Sequence, residues 1–237
     1  METAAQMVTE EYSRALKLGT KEANEFASQG KPTNPAVLDE ILPENSAQVV
    51  QDLGLLEIPA ERIIGTKSAG RITAFSPSFL PLMDIKTEFA RKWMSLCAAH
   101  LGSTGIRDAI QCFEYLGNFY VQEGNKRVSV LRYFGAARIP AMVRRILPPK
   151  SDDPRIVAYY EFLDFFKASR LYAVQFRKPG HYAKLLAAVG KQPGEAWTEE
   201  ERRTFNAYFY YFRDAFNQLG AIREDVLPVV GVLLWLQ

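Results

Sequence analysis

The stretch YVQEGNKRVSVLRYFGA, residues 120–136, is the part of the sequence that decides the fold. It begins in a strand-like apolar run and passes at Gly124 into a helical pattern of apolar residues. Asn125, Lys126 and Arg127 stand where the strand gives way to the helix. The first backbone N–H groups of a helix are unpaired and lie at the positive end of its dipole. The junction is therefore typical of a site that holds a negatively charged group.

The residues around this junction support the same interpretation. Gly124 lets a ligand approach the backbone closely, and Arg127 can grip a phosphate through two parallel hydrogen bonds. Residues 117–150 contain seven basic residues and one acid, Glu123, in a chain whose formal net charge is only +2. Several of these cations are expected to pair with acids elsewhere. A site for a polyanion is nevertheless the better single explanation of the cluster.

The composition is that of a globular protein with ample material for a core, since 48% of the 237 residues are hydrophobic and 24% are charged. Cys97 and Cys112 lie in apolar stretches, without a CxxC motif or a Cys/His cluster. They are predicted to be reduced core thiols, and no metal site is expected. The polar, acidic N-terminus lacks a signal-peptide core, and the apolar run Val226–Leu236 is too short to span a bilayer. A cytoplasmic protein without a membrane segment is predicted.

The apolar and polar patterns predict three parts: a helical N-terminal extension (1–50), an α+β domain (51–150) and a helical subdomain (151–237). Proline and acidic residues at 148–154 mark the second boundary. The chain stops inside an apolar run, so we expect either a fragment of a longer protein or an end that packs against a partner. The main predicted elements are helices over 3–29, 88–101, 155–168, 181–190 and 199–219, a strand entered over 46–56, a hairpin of strands 110–115 and 119–121, and a strand over 139–145.

The order of these motifs resembles the N-terminal domain of ParB partition proteins, which is shared with the sulfiredoxin superfamily. The resemblance covers about residues 54–147. It is carried by a strand and an arginine-ended loop, a helix ending in glycine, the hairpin, a G-x-x-R helix start and a closing strand. These correspond to Ile58–Ile64, Thr66–Arg71, the helix Glu88–His100 with Gly105 after it, the hairpin entered at Ala109–Ile110, Gly124–Arg127 and Ile139–Arg145.

The resemblance implies a small mixed sheet with flanking helices that binds the phosphates of a nucleotide, ATP or CTP. The implied activity is that of a regulatory switch or of a weak phosphotransferase or hydrolase. Mg²⁺ would arrive with the nucleotide, and Glu123 or Asp108 would assist it, Glu123 being the candidate catalytic base. A helix-entry acid stabilised by the dipole is the favoured interpretation of Glu123. The implied nucleotide-binding residues are Thr66, Arg71, Gly105, Arg107, Asp108, Gly124, Asn125, Lys126 and Arg127.

Two departures from the family pattern reduce the set of reactions that the resemblance implies. Sulfiredoxins carry their reactive cysteine directly after the motif glycine, where this chain has Asn125, so sulfiredoxin chemistry is not expected. A free-serine kinase branch carries histidines in this motif, and Asn125 and Lys126 replace them here. Whether the protein is an enzyme therefore stays open.

Two further interpretations come from the same sequence. The whole chain also resembles bacterial proteins in which this domain precedes a helical segment. Some of these proteins continue into a solute-binding domain of the basic-membrane-protein type.

The alternative function is a DNA-binding transcriptional or partition-like regulator that uses the same basic patch. A homodimer is an open option for either function. Thr198, followed three residues later by Glu201, predicts a capping box that begins a helix. That helix starts with three glutamates, which phosphates would repel.

Overall fold

The structure is a computed structural model that describes residues 4–42, 49–103 and 105–218. It divides into two compact units, Met1–Pro148 and Pro149–Gln237, which are described separately below. In these three ranges, no helix combines the length and the apolar character needed to cross a bilayer. The apolar run Val226–Leu236, and with it the expectation of a truncated or partner-bound end, lies outside the described residues.

The first unit is built on a six-stranded mixed sheet with the strand order β1-β3-β5-β4-β6-β2. Strand β4 pairs antiparallel with β5 and parallel with β6, while β3 and β5 are parallel neighbours. The mixed sheet with its helices confirms the α+β class, whereas the specific ParB/sulfiredoxin-like architecture stays a prediction. The strands are β1 (Ala36–Val37), β2 (Val49–Pro59), β3 (Ile63–Thr66), β4 (Ile110–Tyr115), β5 (Asn118–Glu123) and β6 (Arg138–Leu147).

The hairpin of β4 and β5 forms where the sequence predicts it. Its turn residues, Leu116 and Gly117, both have positive φ angles, of 49° and 79°. Two left-handed residues give a turn whose twist matches that of the flanking strands. One strand was not predicted: β1 lies in the segment expected to be a purely helical extension and pairs in parallel with β3.

Helices α1 (Ala4–Ser28), α3 (Glu88–Leu101) and α4 (Asn125–Tyr133) pack on one another, and a short helix α2 (Leu38–Ile41) follows β1. Trp93 of α3 is fully buried at their centre. Its indole Nε1 donates to the Ser129 hydroxyl of α4 at 2.9 Å, and Tyr12 of α1 packs edge-on against its ring. The buried indole N–H is thus satisfied, which removes the cost of burying an unpaired donor.

Helices α3 and α4 run in the same direction. Near their N-termini, the Lys126 ammonium lies 5.0 Å from the centre of the Phe89 ring. Near their C-termini, His100 stacks on Phe134 with ring centres 4.7 Å apart. The two helices therefore begin side by side, and the positive ends of both dipoles point to the same region.

The second unit contains helices α5 (Pro154–Ser169), α6 (His181–Ala188) and α7 (Glu199–Gln218). The predicted capping box at the start of α7 is confirmed, because the Thr198 hydroxyl accepts from the Glu201 N–H and the Glu201 carboxylate accepts from the Thr198 N–H. The aromatic residues of α5 are largely buried. On α7, Phe209 is buried but Tyr208 and Tyr211 are exposed.

Candidate functional site

The predicted site residues belong to three segments, 66–71, 105–108 and 124–127, and the sheet topology brings all three segments to one edge of the sheet. Strands β3 and β5 are parallel neighbours, so the segments that follow them, 66–71 and 124–127, leave the sheet on the same side. Strand β4 is antiparallel to β5, so the segment that precedes it, 105–109, lies at that side as well. Ligands of sheets with parallel strands commonly bind outside the carboxyl ends of those strands. The predicted residues thus meet in space although they are distant in sequence.

Gly124 makes the passage from β5 into α4 possible in two ways. Its φ of 104° lies in a region that side chains rarely adopt. A Cβ atom placed on it would come within 2.7 Å of Cγ2 of Ile110. No side chain caps α4 at this residue, so the N–H groups of its first turn are available to a ligand.

Arg127 holds the site segments together. Its Nη1 donates to the backbone carbonyls of Asp108 at 3.0 Å and Ala109 at 2.7 Å, which ties α4 to the segment before β4. Its Nη2 lies 3.4 Å from the Glu123 carboxylate, and its side chain is only 17% exposed. The first role of Arg127 is therefore structural, and its contact with a phosphate stays a prediction.

The remaining residues of the predicted site differ in their accessibility. Thr66 is buried and its hydroxyl donates to the Ser68 carbonyl at 2.9 Å, so that hydroxyl already has a partner within the protein. Gly105 is half-buried, with a positive φ of 66°, and Arg107 and Asp108 are exposed. Asn125 is half-buried, and its Oδ1 is buried and has no hydrogen-bond partner within the part of the chain that the structure describes.

Glu123 is an exposed carboxylate at the end of β5, with a side chain 64% exposed. It accepts a hydrogen bond from the Gln111 amide at 3.2 Å and lies next to the Arg127 guanidinium. These contacts fit the interpretation of Glu123 as a helix-entry acid. They leave its catalytic role a prediction.

Lys126 is the most electrostatically unfavourable group at this edge. Partial burial lowers the pKa of its ammonium, and the neighbouring charges of Arg71 and Lys92 lower that pKa further, while Glu88 opposes them. Arg71 is exposed and has no ion-pair partner among the described residues. We call Arg71, Glu88, Arg91, Lys92 and Lys126 the edge cluster. It holds four cations and one carboxylate.

The sequence did not identify the contribution of α3 to the edge cluster. Glu88 Oε1 lies 2.6 Å from Lys92 Nζ, and the hydrogen bond and charge of Lys92, followed by Arg91 and Arg71, lower the Glu88 pKa. Thr87 caps the helix by accepting from the Ala90 N–H at 3.2 Å. The sequence predicted a helix over 88–101. It did not predict the position of that helix beside α4, which depends on packing.

The basic residues of 117–150 do not form one patch, and four of the seven already contact groups of the protein. Arg127 binds two carbonyls as described above, and Arg132 donates to the Ile63 carbonyl at 2.8 Å. Arg144 stacks over the Phe113 ring at 4.4 Å and donates to Gln122. Arg145 pairs with buried Glu114.

Both cysteines are free and buried, as the sequence predicts. Burial raises the pKa of the Cys97 thiol to about 11 and that of Cys112 to about 12, so neither is a ready nucleophile at neutral pH. Across the described ranges, no three His, Cys, Asp or Glu side chains gather in a way that could hold a metal ion.

Comparison with known proteins gives no further assignment. No protein-family model, no curated protein and no solved structure matches this chain. The resemblance to ParB and sulfiredoxin domains therefore stays a prediction, and the function has to be inferred from the geometry of the site.

Proposed function

We propose that the first unit binds the phosphates of a nucleotide, ATP or CTP, at the edge cluster. The observation that carries the proposal is the environment of Lys126, a partly buried ammonium beside Arg71 and Lys92. Like charges held together in a partly desolvated place reduce stability unless an anion joins them. Where a protein keeps such an arrangement, a functional site is a reasonable inference.

The backbone adds to the attraction for phosphate. Helices α3 and α4 begin side by side, and each helix N-terminus carries roughly half a positive charge. The uncapped first turn of α4 offers the N–H groups of Asn125 and Lys126. Phosphate oxygens would accept from these groups and from the side chains of Arg71 and Lys126. Arg127 would act by holding the segment 105–109 in place.

The same site would serve a regulatory switch or a weak phosphotransferase or hydrolase. Mg²⁺ would accompany the nucleotide, since this ion usually binds through phosphates and one or two carboxylates. Exposed Asp108 and Glu123 lie at this edge and would supply those carboxylates. To act as a base, the Glu123 carboxylate would have to give up its contacts with the Gln111 amide and the Arg127 guanidinium.

A DNA-binding regulator is the second candidate function, because the edge cluster would also attract a nucleic acid backbone. Arg132 and Arg145 are held by protein groups inside the fold, so they add little to such a surface. Duplex DNA binding would show a steep loss of affinity between about 50 and 200 mM salt. Nucleotide binding with weak salt dependence would favour the first candidate.

The experiment is a thermal unfolding series with ATP, CTP and GTP, each with and without Mg²⁺. One nucleotide is expected to raise the Tm of the native protein, because a ligand at about 100 times its Kd stabilises by roughly 2.7 kcal/mol. Lys126→Ala and Arg71→Ala should each abolish most of that rise. Lys31→Ala is the matched control, since Lys31 also lies over an aromatic ring, that of Phe26, outside the edge cluster. A native Tm that no nucleotide raises would contradict the proposal.

A further inference from the structure

Glu88 is the carboxylate of the edge cluster and is not part of the predicted phosphate motif. It is the first residue of α3, directly after the cap Thr87, so its charge interacts favourably with the dipole of that helix. Its carboxylate contacts Lys92, and its sequence neighbour Phe89 lies beneath the Lys126 ammonium. Glu88 thus lies beside the cations that an incoming phosphate would contact.

A phosphate and this carboxylate would use the same positive charges. Glu88 partly neutralises Lys92, Arg91 and Arg71, and it opposes the repulsion that acts on Lys126. An anion that arrives at Arg71 and Lys126 loses part of their attraction to Glu88 and is also repelled by it directly. Both effects grow with the charge of the ligand.

We propose that Glu88 is an affinity-determining residue, a resident counter-ion that competes with phosphate ligands for the edge cluster. This inference rests on the proposed function of the site. Glu88 stabilises the empty site, and it keeps the binding of multiply charged phosphates weak enough to be readily reversed. Its removal strengthens the binding of a ligand in proportion to the charge of that ligand.

The test is calorimetric titration of inorganic pyrophosphate and inorganic phosphate into the native protein and Glu88→Gln, in EDTA at fixed ionic strength. Glu88→Gln is expected to lower the Kd for pyrophosphate about three-fold to ten-fold, as expected for one charge removed at a few ångströms near the surface. The gain for inorganic phosphate should be smaller. Glu88 is exposed, so the substitution should not prevent folding.

Glu25→Gln is the matched control. Glu25 also forms an (i, i+4) pair on a helix surface, with Lys21 at 3.6 Å, and its removal changes the net charge equally. Its Kd values should stay within about two-fold of the native ones, because a distant exposed charge is screened. If both variants gained equally in affinity for pyrophosphate, the gain would follow from the change in net charge alone, and the inference would be overturned.

The remaining outcomes separate this inference from the proposed function. If the native protein binds pyrophosphate and Glu88→Gln binds it no more tightly, the inference fails and the proposed function stands. Weaker binding by Glu88→Gln would make Glu88 a supporting residue and would also overturn the inference. If neither protein binds pyrophosphate, the proposed function fails and the inference fails with it.

Discussion

In the first unit, the cations of the sheet and those of the edge cluster lie in different electrostatic environments. In the sheet, Arg145 is 6% exposed and pairs with Glu114, which is fully buried and also accepts from the Gly117 N–H at 2.7 Å. At the edge, Lys126 is half-buried with no ion pair among the described residues and has Arg71 nearby.

The difference distinguishes a cation that the fold pairs internally from one that burial and neighbouring like charges disfavour. A buried charge whose hydrogen bonds are supplied by the protein strengthens the fold when its partners stay in place, and costs several kcal/mol when one is lost. A cation whose charged form is disfavoured by burial and by neighbouring like charges does not stabilise the folded state. Substitutions in the two regions should therefore change stability in opposite directions.

The largest effect is expected from Glu114→Gln, which leaves Arg145 buried without its carboxylate. We expect a loss of about 3–5 kcal/mol in the free energy of unfolding, measured by urea denaturation. Glu25→Gln removes an exposed carboxylate and should cost less than about 0.5 kcal/mol. A loss below about 1 kcal/mol for Glu114→Gln would show that the buried pair is not a structural requirement.

A smaller loss is expected from Arg127→Ala, because the carbonyls of Asp108 and Ala109 would lose their charged donor. The expected cost is about 1–3 kcal/mol in the free energy of unfolding. Arg71→Ala, at an exposed arginine of the same edge, should change it by less than about 0.5 kcal/mol. Equal stability of the two variants would refute the structural role of Arg127 and return it to the phosphate-binding group.

The smallest effect, and one of opposite sign, is expected from Lys126→Gln. The folded state lowers the pKa of Lys126, so its charged form opposes folding at every pH below that pKa. Removing the charge should raise the Tm of the ligand-free protein by about 1–4 °C at pH 7. The penalty is lost as native Lys126 loses its proton, so the Tm difference should shrink as the pH rises through the lowered pKa of Lys126 and vanish above the ordinary lysine pKa of about 10.4.

The control for Lys126→Gln is Lys31→Gln, which removes a lysine charge from a ring contact outside the edge cluster. Its Tm should stay close to the native value at both pH values. A lower Tm for Lys126→Gln would show that the contact of the ammonium with Phe89 outweighs the repulsion. The contrast between the two regions would then be lost.

Most elements of the fold were predictable because their signals are local. The extent of α3, Glu88–Leu101, follows from its apolar spacing and the glycine after it. The start of α7 follows from the Thr198 and Glu201 pair, whose hydrogen bonds join residues three apart. The hairpin follows from two apolar runs around Leu116–Gly117.

The order of the strands was not predictable in the same way. Strand β1 has only two residues, Ala36 and Val37, and no alternation marks it. Its pairing with β3 brings together residues that are about thirty positions apart, and no local pattern encodes such a contact. The partners of Arg132 and Arg145 lie on β3 and β4, far from these arginines along the chain. The sequence alone therefore shows the basic residues as one cluster, and only the folded sheet gives each arginine its separate partner.

The sequence by itself determined most of the helices and strands, though not β1, together with the buried cysteines and the glycine junction before α4, because each of these depends on residues close to one another along the chain. Only the tertiary structure decided which cations are paired inside the protein and which have no ion-pair partner among the described residues. It also placed Glu88 and Arg71 beside Lys126. The physical reason is that electrostatic and hydrogen-bond partners are set by distance in space, and the packing of α3 against α4 sets that distance here.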